Sequence, residues 1–185
     1  GRDEEWKKQT IANTSETQFE QEYGNSFLGT GNTLINSNIL LGLRSIDADW
    51  SRDNINIYTR PIEGHAYICT VDVSKGRGMD YSTFSVFDVS VQPFKQVATF
   101  RDNMLSPMLL PDMVNKYVKP YNEALVIVEN NAEGGMVAQQ LHYDIEYPNV
   151  FVQGMTKQED IGVTMNKKVK RIGCSNLKQL IEDDK

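Results

Sequence analysis

The sequence predicts an α/β domain built on one mixed β-sheet, and three observations support this fold class. Three apolar, strand-like runs at 65–73, 83–91 and 95–101 are separated by short turns, as in an antiparallel meander. Helical and strand-like patterns then alternate over 111–153. Two of the strands end in a carboxylate that is followed by small and polar residues.

Residue spacing places the elements after the meander. A helix starts at Pro111 and stops at Pro120, because apolar and aromatic side chains recur there at helical spacing. A strand at 125–129, a helix at 135–145 and a strand at 149–153 follow, and a last helix covers 175–182. A right-handed crossover sets the fourth strand beside the first, so the predicted strand order is 3-2-1-4-5. This is an RNase H-like arrangement flanked by helices.

The region before the sheet is less strongly patterned. A capping box at 15–18 and aromatic residues at helical spacing predict a short helix that ends near Asn32. We expect an edge strand at 34–35, a short helix at 38–43 and a polar surface loop over 47–56. A chain of 185 residues holds one domain with a core and a modest appendage.

Composition limits the classes of protein. A net charge of −6 argues against coating nucleic acid by bulk electrostatics, although it is compatible with an acidic metal site and local DNA contacts. The sequence has no apolar stretch near the roughly 20 residues that span a bilayer, so an intracellular protein is expected. Cys69 and Cys174 lack zinc or disulfide spacing, and neither His65 nor His142 lies near a nucleophile motif.

The two strand-end acids are the candidate site. Asp72 ends the first strand and Glu129 the fourth, so parallel neighbours would bring the two carboxylates to one place. Either acid alone is more simply a strand end that meets water. Together they favour a site for Mg²⁺ or Mn²⁺, as in two-metal phosphodiesterases.

Two further segments supply candidate phosphate contacts. The turn at 74–80 follows Asp72 and carries Lys75, Arg77 and Asp80 among its glycines. It lacks the third glycine and the following helix of a nucleotide-binding loop. The run at 166–171 contains Lys167, Lys168, Lys170 and Arg171, and the glycines on both sides predict a mobile basic loop that tracks phosphates. The alternative is a solvated surface loop.

Several segments together resemble the large terminase subunit of tailed bacteriophages, most closely the T4-like group. The resemblance runs from end to end and is specific only when the motifs are taken jointly. They lie at 5–11, 18–23 with 27–30, 33–35, 72–81 and 173–178. In that family a packaging ATPase precedes an RNase H-like nuclease that cuts concatemeric DNA.

The resemblance implies a role for each part of the chain. Residues 1–32 would be the tail of the ATPase domain and its linker, and 33–185 most of the nuclease domain. Asp72 and Glu129 would be the first two metal ligands, and Asp80 occupies the position of a further acid. The implied partners are double-stranded DNA, the ATPase domain of the same polypeptide, the portal and the small terminase subunit, without a membrane. The implied location is the host cytoplasm, at the prohead and not in the mature virion.

The chain also departs from the family. It has no Gly-x-x-x-x-Gly-Lys-Ser/Thr loop, and Lys75 stands where the family often has an acid. The third catalytic acid is expected beyond Lys185, so the nuclease domain would be incomplete at its C-terminus and inactive alone. The sequence therefore predicts a metal-dependent endonuclease whose cutting is largely independent of sequence. Another RNase H-like nuclease, such as a junction resolvase, and a non-catalytic docking or DNA-binding module of the packaging motor are the alternatives.

Overall fold

A computed structural model describes residues 34–43, 45–154 and 160–183. Within these ranges, residues 34–43 and 174–183 form one unit and residues 45–173 a second, and each is described by itself. The expected aromatic helix and the tail at 1–32 lie outside the described residues. None of the helices in the described parts of the chain combines the length and apolar character needed to cross a membrane.

The second unit is built on a six-stranded sheet with the order β1-β2-β5-β4-β3-β6. The four strands predicted first from the sequence lie side by side in the predicted order, with β6 at one end of the sheet, β3 and β6 parallel, and the other pairs antiparallel. They are β3 (Tyr67–Asp72), β4 (Ser82–Asp88), β5 (Lys95–Asp102) and β6 (Leu125–Val128). The point where the sheet changes from antiparallel to parallel therefore lies between β3 and β6.

The fifth predicted strand lies where it was expected, beside β6. Val150 bridges to Val126 in parallel orientation, and the Phe151 N–H donates to the Val126 carbonyl oxygen at 2.8 Å. The segment then continues as β7 (Val152–Gln153), which pairs with β8 (Asp160–Ile161) in a separate two-stranded sheet.

The prediction of a polar surface loop over 47–56 is wrong, because this segment contributes two strands. Strands β1 (Trp50–Arg52) and β2 (Ile55–Ile57) form a hairpin on the β5 edge. Asp53 and Asn54 make its two-residue turn, and both have positive φ values, 54° and 62°. Asp and Asn tolerate this conformation, so an Asp-Asn pair is typical of a hairpin turn. This turn was overlooked because the apolar pattern on both sides of it is weak. The edge strand expected at 34–35 is also not formed.

Two helices pack against the sheet, and the prediction of a sheet flanked by helices is confirmed. Helix α2 (Leu110–Val118) follows a short 3₁₀ turn (Pro107–Leu109), and α3 (Glu133–Gln139) continues into a π-helical turn (Gln140–Asp144). Their apolar sides join the buried face of the central strands in one core. Its largest fully buried side chains include Tyr121, Phe84, Phe100, Ile55, Leu110 and Leu141. Each such side chain stabilises the fold by roughly 1.5–3 kcal/mol through burial.

The opposite face of the sheet is more polar and less covered. Side chains there alternate with the buried ones along each strand, as in β4, where every second residue is half-buried. One row runs across five strands through Asn56, Thr99, Ser85, Thr70 and Ile127. The next row runs from Asp72 through Thr83 to Arg101. The candidate acid of β3 therefore lies on the polar face.

The remaining helices are α1 (Ser37–Gly42) and α4 (Lys167–Glu182). Helix α1 confirms the short helix expected at 38–43. The predicted mobile basic loop is wrong, because Lys167, Lys168, Lys170 and Arg171 form the first turns of α4. The Asn166 side chain caps that helix by accepting the Lys168 and Val169 N–H groups, both at 3.0 Å. This cap is a start signal nine residues before the predicted start at Ser175.

Candidate functional site

Asp72 and Glu129 lie at neighbouring positions of two parallel strands. Val71 is in register with Val128, and the Glu129 N–H donates to the Val71 carbonyl oxygen at 2.9 Å. The next residues, Asp72 and Glu129, therefore share one face of the sheet on strands about 4.8 Å apart. Asp72 is exposed and Glu129 half-buried. Each carboxylate follows a buried valine, Val71 or Val128, and the packing of these valines fixes the position of the backbone from which the carboxylate extends.

A cleft of about 560 Å³ opens beside Asp72. Its charged lining consists of Asp72, Lys75, Arg77, Asp80 and Glu133. The predicted residues of the glycine turn are thus gathered with the acid of β3. Glu129 is not among the lining residues, although its backbone pairs with β3 immediately before Asp72.

Close packing holds the turn that carries Lys75 and Arg77. At its start, the Ser74 N–H donates to the Ser82 Oγ at 3.0 Å, and both serines are buried. Gly76 has a φ of 64°, and a Cβ there would overlap the Leu105 carbonyl oxygen. A residue with a side chain would have to push the turn away from its support, so glycine is required at this position.

The support under the turn is the loop that follows β5. The Gly78 N–H donates to the Asn103 carbonyl oxygen at 2.8 Å, and the Asn103 side chain donates back to the Gly78 carbonyl oxygen at 3.1 Å. Asp102 organises this loop by accepting the Met104 N–H at 2.6 Å and the Leu105 N–H at 2.8 Å. The pKa of Asp102 lies below its ordinary value. The hydrogen bond from the Met104 N–H is the largest cause, and it outweighs partial desolvation, which raises the pKa.

The start of α3 closes in on the end of β6. A Cβ at Gly134 would overlap the Glu129 carbonyl oxygen, so glycine permits the helix to begin directly behind the candidate acid. Glu133, in the first helical turn, lies 3.7 Å from the Lys75 Nζ. The sequence did not indicate Glu133, because its pattern predicts a helix that starts at residue 135 and so leaves Glu133 in the preceding turn.

Arg77 and Tyr81 also line the cleft, and Arg101 contacts Tyr81. Arg77 is exposed and forms no ion pair with any residue that the structure describes. The Arg101 guanidinium lies over the Tyr81 ring, 3.7 Å from its centroid, and Tyr81 lines the cleft. No sequence signal indicated Arg101, because its position depends on the register of three strands.

The basic start of α4 is tied to the loop after β6. The Asn131 side chain donates to the Met165 carbonyl oxygen at 2.9 Å and accepts the Met165 N–H at 3.1 Å. Asn130 accepts the Thr164 hydroxyl at 3.0 Å. Lys167 follows Met165 by two residues, so the basic turn begins close to the segment that carries Glu129.

The donor set suits a hard divalent cation, because it consists of carboxylate oxygens. Asp72 and Glu129 fit such an ion by their shared register and face, and Asp80 shares the cleft with Asp72. Within residues 34–43, 45–154 and 160–183, no three acidic, histidine or cysteine side chains form a metal-binding group. These residues therefore provide two carboxylate ligands for such an ion, and water molecules would complete its coordination.

The other titratable groups of the sheet belong to the fold. Asp88 is 3% exposed and accepts hydrogen bonds from His65 Nδ1 at 2.8 Å and from the Ser90 N–H at 3.0 Å. Burial raises the pKa of Asp88, but these two hydrogen bonds outweigh it, so the pKa lies below its ordinary value. Burial strongly raises the pKa of the Cys69 thiol, which makes it a poor nucleophile.

Comparison with known proteins identifies similar folds. A family model described as a terminase RNaseH-like domain matches residues 69–185. The large terminase nuclease of thermophilic phage G20c with bound cobalt is 20% identical over 84% of this chain and 72% of its own, with a TM-score of 0.65. Its magnesium-bound structure gives 19% identity over the same 84% and 72%, with a TM-score of 0.63.

A third similar structure is the large terminase nuclease domain of Thermus phage P74-26. It is 21% identical over 75% of this chain and 64% of its own, with a TM-score of 0.56. At such identities the likeness concerns the fold, and it confirms the predicted RNase H-like mixed sheet flanked by helices.

Proposed function

The chain belongs to the terminase RNaseH-like domain family, and on that premise we propose that it hydrolyses phosphodiester bonds of duplex DNA as the nuclease part of a phage packaging enzyme. The observation that carries the proposal is the shared register and face of Asp72 and Glu129 on β3 and β6. Open α/β sheets place ligands at the carboxyl ends of strands near such a change in strand direction.

Each residue of the site has a proposed role. Asp72 and Glu129 supply carboxylate ligands for Mg²⁺ or Mn²⁺, and Asp80 supplies a further oxygen at the cleft. A bound divalent ion would lower the pKa of an attacking water and stabilise the charge that develops on the phosphate. Lys75 and Arg77 contact the phosphate backbone at the glycine turn, which Gly76 fixes against Leu105. The similar G20c nuclease binds cobalt and magnesium, which supports a divalent cofactor.

The first turns of α4 extend the DNA surface. Lys167, Lys168, Lys170 and Arg171 are all exposed, and Asn131 ties the segment before them to the end of β6. These side chains would contact phosphates and not base edges, so cutting would be largely independent of sequence.

The finer parts of the proposal come from the resemblance to the T4-like terminases. They are the two-metal mechanism, cutting of concatemeric DNA, and assembly at the prohead in the host cytoplasm. Residues 1–32 would belong to the packaging ATPase domain of the same polypeptide, and the portal and small terminase subunit would be partners.

Metal binding tests the site directly. We expect calorimetry to show weak Mn²⁺ binding to the 185-residue chain, and Asp72→Asn or Glu129→Gln to weaken it on the order of ten-fold or more. Asp112→Asn and Glu63→Gln are matched controls, because both are exposed acids outside the cleft lining. Equal affinity in all four variants would contradict the assignment of the metal ligands.

DNA binding tests the basic turn of α4. Replacing Lys167, Lys168, Lys170 and Arg171 by Ala should weaken duplex binding for every sequence and flatten its salt dependence by roughly one unit for each lost phosphate contact. A control with the same change in charge replaces Arg52, Lys95, Lys116 and Lys119, which lie outside the cleft lining and the start of α4. Identical slopes in both variants would assign the basic turn to ordinary surface.

A non-catalytic DNA-binding or docking module is the second candidate. It is favoured by one observation, that no group of three metal-ligating side chains forms among the residues the structure describes. We expect little plasmid cleavage by the 185-residue chain with Mg²⁺, and restored cleavage when the chain is extended with the family's remaining elements. Metal binding that depends on Asp72 supports the nuclease, and its absence supports the docking module. Robust cleavage that survives Asp72→Asn would mean that the active site lies elsewhere, as in another type of RNase H-like nuclease.

A further inference from the structure

Arg101 lies on the same face of the sheet as Asp72. Asp72 pairs with Thr83 on β4, and Thr83 pairs with Arg101 on β5. Directly paired residues point to the same side of a sheet. Two strand spacings of about 4.8 Å put the Arg101 Cα roughly 10 Å from the Asp72 Cα. The Arg101 side chain reaches Tyr81 just before β4, and Tyr81 lines the cleft, although Arg101 itself is not a lining residue.

Tyr81 holds the Arg101 side chain in that direction. The guanidinium carbon lies 3.7 Å from the centre of the Tyr81 ring, and Tyr81 lines the cleft together with Asp72, Lys75 and Arg77. Stacking uses the flat face of the guanidinium and leaves its five N–H donors in the plane free. Arg101 is exposed, and its guanidinium has no carboxylate partner within the part of the chain that the structure describes.

From this geometry we infer that Arg101 is a further phosphate-contact residue, which Tyr81 positions at the cleft for one phosphodiester group of duplex DNA. A planar fork with free, pre-oriented donors matches two phosphate oxygens, and little side-chain freedom is lost on binding. Arg101 thereby adds a third cation beside the cleft, next to Lys75 and Arg77 of its lining. The inference rests on the proposed function, because it names a further contact for the same substrate.

The test measures binding of the 185-residue chain to a 5′-labelled duplex of about 30 base pairs at several salt concentrations, with EDTA present so that metal binding plays no part. Arg101→Gln should weaken binding on the order of ten-fold and flatten the logarithmic salt slope by roughly 0.9. Arg52→Gln is the matched control, because it makes the same change in charge on the edge strand β1. It should leave affinity and slope unchanged.

Three more variants separate stacking from charge. Arg101→Lys should keep the salt slope but lose affinity, because it retains the charge without the planar fork. Tyr81→Phe should bind like the unaltered chain, and Tyr81→Leu should bind more weakly with the same slope. If Arg101→Gln and Arg52→Gln gave the same salt slope, the inference about Arg101 would be overturned and the proposed function would stand. Equal affinities for Tyr81→Phe and Tyr81→Leu would overturn the positioning role, and failure of the unaltered chain to bind DNA would instead overturn the proposed function.

Discussion

Strands β3 and β4 each end in an aspartate, at opposite ends of the sheet, and the two aspartates differ in burial and in hydrogen bonding. Asp88 ends β4 beside the start of β3, where it is 3% exposed and accepts hydrogen bonds from His65 and Ser90. Asp72 ends β3 at the opposite end of the sheet, where it is exposed and has no ion pair with any described residue. One carboxylate is satisfied by the fold, and the other is left open.

Asp88 stabilises the fold, whereas the fold leaves Asp72 exposed to solvent. A buried carboxylate is tolerated only when the protein itself supplies its partners. An exposed carboxylate next to a second acid gains nothing from the fold, and a cation is the partner that would stabilise both. Glu129 is that second acid, at the neighbouring position of β6. Position at a strand end is therefore a weaker sign of function than the absence of an internal partner.

The largest expected effect separates the two aspartates by stability. Asp88→Asn should lower the free energy of unfolding by about 1–3 kcal/mol, because the buried charge is lost and one of the two acceptor oxygens becomes an NH2 donor. Asp72→Asn should change it by no more than about 0.5 kcal/mol. Urea unfolding followed by circular dichroism measures both. Equal losses in the two variants would contradict the different roles of the two aspartates.

Two asparagines allow the same comparison for side chains that tie segments together. Asn131→Ala loses two hydrogen bonds to Met165 near the candidate site, and Asn122→Ala loses two to the Ile62 and His65 carbonyl oxygens at the other end. Each should cost about 1–2 kcal/mol in urea unfolding. Only Asn131→Ala should also weaken duplex DNA binding, because it releases the start of α4. A DNA affinity that falls equally in both would remove this role.

The pH dependence of stability should report the aspartates that the fold satisfies. Hydrogen bonds hold the pKa values of Asp88 and Asp102 below their ordinary value, so the stabilisation is complete above about pH 4 and is lost as the pH falls through the lowered values. Asp102→Asn should therefore flatten the loss of stability below about pH 4. Urea midpoints measured across this pH range test this prediction. If Asp102→Asn left the loss of stability below about pH 4 unchanged, the hydrogen bonds of Asp102 would not contribute to it.

The smallest effect is expected at the ion pair of Lys75 and Glu133. Its side chains are 60% and 32% exposed and its atoms are 3.7 Å apart, so solvent screens most of the attraction. Glu133→Gln should change the free energy of unfolding by less than about 0.5 kcal/mol. A loss above about 1 kcal/mol would show that this pair, unlike a typical exposed one, holds the turn in place.

Local patterns succeeded where the chain itself carried the signal. The apolar runs around Val71 and Val128 placed both candidate acids at strand ends, and the alternation of helix and strand predicted the order of strands β5, β4, β3 and β6. The hairpin at Asp53 and Asn54 was missed because its strands are only three residues long. The basic run was mistaken for a loop because its cations and glycines outweighed a single capping residue, Asn166.

Local patterns were sufficient to predict strands β3 to β6, their buried face and the two acids at strand ends, because hydrophobic periodicity is a local property that packing then reinforces. Which charged side chains meet depends instead on the tertiary structure. Lys75 and Glu133 are 58 residues apart in the numbering, and Tyr81 and Arg101 are 20 apart. Their contacts follow from strand register and from the close approach at Gly76 and Gly134, which place distant side chains at one cleft.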